Sequence, residues 1–71
     1  MDAKAQYVLG RKYEIGDGVS MNYDESLKWY RLSAAQGNAK AQYKVELVLG
    51  FKRLAVKLAE WDRDHPNEYL P

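Results

Sequence analysis

The segment Ile15–Ser20 (IGDGVS) is the part of this 71-residue chain that most resembles a site for chemistry. Glycine-rich loops that precede a helix can bind phosphate through their backbone N–H groups. A P-loop also needs a lysine and a wider glycine spacing, and this segment has neither. A calcium loop needs alternating oxygen ligands that end on a glutamate, and Asp17, Asp24 and Glu25 do not follow that spacing. We therefore interpret Gly16 and Gly18 as turn residues.

The remaining titratable side chains show no catalytic or metal-binding pattern. His65 is the one histidine and the chain has no cysteine, so the sequence offers neither a histidine cluster nor a thiolate site. No two carboxylates share an apolar context in which one would act as a general acid or base. The sequence predicts a protein that is not an enzyme and that uses no cofactor or metal.

Charge and hydropathy indicate which classes of partner this protein can bind. The net charge of +1 is small for a protein that binds nucleic acid through phosphate contacts. No apolar run approaches the roughly 18 residues that span a bilayer, and the first residues do not form a signal peptide. We expect a soluble cytoplasmic protein, or a periplasmic one if a leader has been removed. Its expected partner is a protein, with no membrane contact.

The five residues AKAQY occur twice, at Ala3–Tyr7 and Ala39–Tyr43, 36 positions apart. A period of this length is typical of helical repeats. In the first copy, Asp2 is the predicted N-cap of a helix that reaches about Glu14, with Ala5, Leu9 and Tyr13 along one face. Gly10 costs this helix about 1 kcal/mol relative to alanine. Its presence therefore predicts the close approach of another backbone.

Two further helices follow the glycine turn. Asn22 caps the first, which runs from Tyr23 to about Gln36, with Glu25 placed for a capping box. Gly37 ends it as the residue after the C-cap. The last helix begins at Ala39 and should end near Arg63, because Pro66 disfavours helical geometry in the residue before it. The tail, residues 65–71, is predicted to be irregular unless Tyr69 and Leu70 dock.

The stretch AQYVLGRKYEIGDGVSMNYDESLKWYRLSAAQGNAKAQY resembles the Sel1-like repeat, a relative of the tetratricopeptide repeat. The matching residues are Ala3, Ala5, Gln6, Leu9, Gly10, Tyr13, Gly16, Gly18, Val19, Trp29, Tyr30, Ala34 and Gly37. The resemblance implies an all-α fold in which α/α hairpins stack into a solenoid that binds proteins, as in bacterial adaptors. Residues 1–37 would form one hairpin, and residues 38–64 a long capping helix that begins as a second repeat.

The chain departs from this pattern at three places. Ser26 and Ser33 stand where the family usually has alanine, and each places a hydroxyl near the helix–helix contact. A bond back within its own helix would satisfy this hydroxyl, so we expect the two changes to cost little. Glu46 falls where the first copy has Gly10, and the glycine turn never follows. The second unit therefore never forms its own second helix.

The long helix carries two apolar stripes on nearly opposite sides. One stripe repeats the apolar positions of the first helix and should pack against the second helix. It consists of Ala41, Val45, Leu49 and Val56. The other stripe has the spacing of a helix–helix seam, and it consists of Tyr43, Leu47, Phe51, Leu54, Leu58 and Trp61. Tyr7 and Arg11 lie on the equivalent face of the first helix and join the predicted protein-binding residues.

Two interpretations of the second stripe stay open. In one, the protein is a three-helix monomer whose first helix and tail cover the stripe. In the other, which we favour, the stripe binds a partner, most simply a second copy, because symmetric dimers predominate among oligomers. An inhibitor or immunity-type protein that blocks an enzyme with this surface is the alternative function. RNA binding near Tyr7, Arg11, Lys40 and Lys44 is a weaker one.

Overall fold

The structure is a computed structural model that describes residues 1–64, which form three helices. They are α1 (Ala3–Ile15), α2 (Tyr23–Ala35) and α3 (Ala39–Asp64). The all-α prediction is confirmed, and each predicted helix end lies within one residue of the observed one. The predicted irregular tail and the docking of Tyr69 and Leu70 lie outside the described residues.

The predicted caps are present. The Asp2 carboxylate accepts a hydrogen bond from the Ala5 N–H at 2.7 Å, and the Asn22 side-chain oxygen accepts one from the Glu25 N–H at 3.1 Å. The other half of the expected capping box is missing, because the Asn22 N–H donates to the Tyr13 carbonyl at 2.9 Å. This bond fastens the start of α2 to α1. Gly37 has φ 94, the left-handed conformation that ends α2 as predicted.

The helices α1 and α2 are antiparallel, and two serine hydroxyls of α2 bond to α1. The Ser26 hydroxyl donates to the Gly10 carbonyl at 2.8 Å, and the Ser33 hydroxyl donates to the Ala3 carbonyl at 2.6 Å. The two hydroxyls therefore bond to the facing helix rather than within their own. Both serines are fully buried, and each has a carbonyl of the facing helix within reach. The pair of bonds fixes the alignment of the two helices at two points along their length.

Gly10 allows a close contact between α1 and a side chain of α2. A carbon added to its Cα would lie 2.6 Å from Cδ1 of Tyr30, well inside van der Waals contact. The expected close neighbour is therefore an aromatic ring rather than another backbone. Tyr30 is fully buried, and its ring also contacts Tyr7, with 5.5 Å between the ring centres.

The first half of α3 packs against α2. Ala41 and Val48 are fully buried together with Leu27 and Tyr30, and the half-buried Val45 and Leu49 pack against this core. The predicted stripe is thus confirmed at its first three residues, while Val48 was not predicted. The prediction for Val56 is wrong, since 56% of its surface is exposed.

Val56 is exposed because α2 is too short to reach it. α2 has 13 residues and α3 has 26, which correspond to about 20 and 39 Å at 1.5 Å per residue. The first residues of α2 meet the middle of α3, where Tyr23 lies against Phe51 and Asp24 pairs with Lys52. We call Arg53–Asp64 the projecting segment. Its side chains, leaving Asp62 aside, are exposed.

The two helical glycines allow a matched test of the α1–α2 contact. Gly10→Ala should destabilise the fold by about 1–2 kcal/mol, because overpacking costs about 1–3 kcal/mol and alanine returns up to about 1 kcal/mol of helix propensity. Gly50→Ala is the control, since nothing lies within 4 Å of the added carbon. It should stabilise the fold slightly. Urea unfolding followed by circular dichroism measures both, and an equal response of the two variants would contradict the close contact at Gly10.

Candidate interaction surface

The predicted stripe on α3 has two parts, one beside α2 and one beyond the first residues of α2. Tyr43, Leu47 and Phe51 lie beside the helical hairpin, where Tyr43 is 65% exposed, Leu47 is half-buried and Phe51 packs on Tyr23. Leu54, Leu58 and Trp61 belong to the projecting segment, and more than half of the surface of each leucine is exposed. The structure therefore places the two exposed leucines of the stripe beyond the hairpin.

The apolar surface of the projecting segment is wider than the predicted stripe. Val56 lies on the other side of the helix, beside a groove of about 450 Å³ that Leu49 and Val56 line with four charged side chains, Lys52, Arg53, Lys57 and Glu60. At 100° per residue, Ala55 and Ala59 lie between Val56 and the leucines. The leucines, the alanines and Val56 therefore form one arc. Arg63 lies within this arc near Val56, and the opposite side carries Arg53, Lys57, Glu60 and Asp64. Periodicity alone did not reveal this continuity, because it places Val56 on the side of α3 that faces α2.

Tyr7 and Arg11 lie on α1 and form a second surface. Two adjoining depressions of about 520 and 310 Å³ share Tyr7 and Val8 in their lining. The first is also lined by Lys4 and by the turn into α3, residues 37–40, and the second by Arg11, Lys12, Ile15 and Asp17. We call these two depressions the α1 trough. Tyr7 is half-buried beneath it and Arg11 is exposed.

A polar network connects all three helices, and it was not predicted from the sequence. The Tyr30 hydroxyl donates to Oε1 of Glu14 at 2.6 Å, and Nζ of Lys44 lies 3.4 Å from the same oxygen. A carboxylate in the last turn of a helix is disfavoured by the helix dipole, so Glu14 needs such donors. That unfavourable position is the sequence signal that would have pointed to the network.

Burial, reinforced by the hydrogen bond to Glu14, raises the pKa of the Tyr30 hydroxyl far above its ordinary value of 10.0. The hydroxyl therefore stays protonated and keeps donating to Glu14. Because Glu14 also binds Lys44, this proton helps to hold α3 at a fixed angle to the hairpin. The α1 trough depends on that angle, since its lining combines residues of α1 with Ala39 and Lys40 of α3.

Among residues 1–64, no three histidine or carboxylate side chains are grouped to hold a metal ion. No helix of this range combines the length and the apolar composition needed to cross a membrane. No family model, curated protein or solved structure matches this chain. The function therefore has to be inferred from the two surfaces themselves.

The pKa of Tyr30 predicts how stability depends on pH. The folded state holds this proton more tightly than the unfolded chain, so its contribution is complete below pH 10 and falls as the pH rises further, by about 1.4 kcal/mol per unit. Tyr30→Phe should remove this component. The exposed Tyr43→Phe is the control and should retain the wild-type slope. Urea unfolding at pH 8, 10 and 11 measures the slopes, and equal slopes in the wild type and Tyr30→Phe would contradict the network.

Proposed function

We propose that this protein is a protein–protein interaction module that associates with a second copy of itself through the projecting segment. The observation that carries the proposal is the exposure of Leu54, Val56 and Leu58 on a helix that extends past the hairpin. Among the described residues, no other helix lies against this part of α3. A contiguous apolar surface of this kind on a soluble protein is typical of an interface.

The energetics of the projecting segment favour a partner. Burial of a leucine or valine side chain contributes roughly 1.5–3 kcal/mol, and several such side chains are exposed here. Most helical stability in proteins comes from tertiary packing, and the projecting segment extends α3 beyond its packing on α2. Association would bury the apolar arc and stabilise the segment at the same time.

The charges of the projecting segment leave its apolar arc open to a second copy. Basic Arg53 and Lys57 precede acidic Glu60 and Asp64 along the same side of the helix. At 100° per residue these four side chains lie opposite the apolar arc, so they stay in water when two segments pack through it. A closed two-fold arrangement buries the apolar arc of both copies.

We also propose that α1 and α2 form a Sel1-like hairpin and that α3 begins a second unit of an α/α solenoid. Support comes from the repeat of AKAQY, from Gly37 at the end of α2, and from the burial of Ala41 in the second copy. Sel1-like units bind proteins, so this assignment agrees with an interaction module. A soluble protein with a protein partner is part of the same proposal.

A pair of variants in the projecting segment tests the self-association. Leu54→Glu and Lys57→Gln each lower the net charge by one and keep good helix formers in place, but only the first alters the apolar arc. Size-exclusion chromatography with light scattering should show a dimer mass for the wild type and for Lys57→Gln. Leu54→Glu should shift the mass to that of the monomer, because burying its carboxylate is costly.

A wild-type protein that stays monomeric at every concentration, with α3 helical by circular dichroism, would contradict the proposal. So would a dimer that Leu54→Glu leaves intact. A monomer would leave the surface free for a different protein, which is what the inhibitor-type alternative requires.

A further inference from the structure

The α1 trough concentrates positive charge on a chain that is nearly neutral. Four cationic side chains and one carboxylate line it, namely Lys4, Arg11, Lys12, Lys40 and Asp17. The whole chain, in contrast, has a net charge of only +1. The four cations are exposed, and none of them pairs with a carboxylate of the described residues. The remainder of the molecule is therefore net negative. This segregation produces a local positive field that attracts anionic ligands.

The floor of the trough is held rigidly in place. The Tyr7 ring rests against the buried Tyr30 ring, and the Tyr30 hydroxyl is fixed by Glu14. Val8 and Ile15 present exposed apolar side chains along the same wall. A preorganised aromatic floor beside apolar side chains lowers the entropy cost of binding an apolar group. The cations surround this apolar strip.

We propose that the α1 trough binds a short acidic peptide segment of a partner protein, with an apolar residue on Tyr7 and carboxylates at the surrounding cations. Arg11 binds a carboxylate with two parallel hydrogen bonds, while Lys4 and Lys40 act as point charges. From Lys4 to Ile15 the trough follows about 17 Å of helix. This length accommodates about five residues of extended chain.

The same surface is less suited to nucleic acid. Its one aromatic floor residue already packs against Tyr30, whereas single-stranded nucleic acid binds best to successive exposed stacking platforms. Asp17 would repel a phosphate at one end of the trough, and a net charge of +1 gives little long-range attraction to a polyanion. A peptide can place its few carboxylates where the cations lie and its apolar side chain between them.

The inference goes beyond the self-association proposed above, because the trough and the projecting segment share no residue. The probe is a fluorescein-labelled five-residue peptide with a central leucine and two glutamates on either side. A peptide with glutamines in place of the glutamates and a five-nucleotide oligouridylate are its comparisons. Fluorescence anisotropy measures each affinity for the wild-type protein and for three charge reversals.

Arg11→Glu and Lys40→Glu should each weaken binding of the glutamate peptide at least tenfold. Lys28→Glu makes the same charge change outside the trough, where Lys28 lies over the Trp29 ring, and should change the affinity less than twofold. The glutamine peptide should bind at least tenfold more weakly. Leu54→Glu should bind the glutamate peptide like the wild type, whether or not the protein self-associates.

Three results would overturn the proposal. Equal binding of the glutamine peptide would show that the carboxylates are not recognised. Equal losses in Lys28→Glu and Arg11→Glu would show that only the overall charge matters. Tighter binding of oligouridylate than of the glutamate peptide would assign the trough to nucleic acid instead.

Discussion

The packing of the Tyr30 side chain against Gly10 is the contact on which the other features of this structure depend. Because Gly10 has no Cβ, the ring fits between α1 and α2 at a distance that alanine would not allow. That approach brings the Ser26 hydroxyl to the Gly10 carbonyl and the Tyr30 hydroxyl to Glu14. Glu14 in turn binds Lys44 of α3. One small residue on α1 thus fixes the position of both other helices.

The two candidate surfaces follow from this arrangement in different ways. Tyr7 rests on the Tyr30 ring, so the α1 trough has a rigid floor. α3 is held against α2 only as far as α2 extends, and the Asp24–Lys52 ion pair marks the end of that contact. Beyond it the same helix continues with apolar side chains that its own hairpin cannot cover. The mismatch in helix length, rather than any unusual residue, creates the exposed surface.

Local signals in the sequence were sufficient to predict the helices. Asp2, Asn22 and Gly37 act through side-chain or backbone bonds to residues close by in the chain, so their roles follow from residue type and position. Periodicity correctly gave the side of α3 that faces α2. It did not give the distance over which that side is covered, which depends on where α2 ends, and Val56 was therefore misassigned.

Contacts between different helices were the least predictable part. The hydroxyls of Ser26 and Ser33 have an acceptor in their own helix and another in α1, and the choice depends on the spacing between helices. Glu14, Tyr30 and Lys44 are far apart in sequence. The position of Glu14 at the end of α1 signals that it needs donors, but nothing in the sequence identifies Tyr30 and Lys44 as those donors. For the stripe on α3, the sequence predicted the residues of the candidate interface, while the structure showed which of them are exposed beyond the hairpin.

The most direct test of self-association through the projecting segment is the distance between two copies of it. The chain has no cysteine, so Lys57→Cys provides a single spin label for pulsed electron spin resonance. Paired segments about 18 Å long, packed about 8–10 Å apart, predict one narrow intermolecular distance distribution within roughly 30 Å. A featureless decay from isolated labels, at concentrations well above those expected for the dimer, would contradict the account.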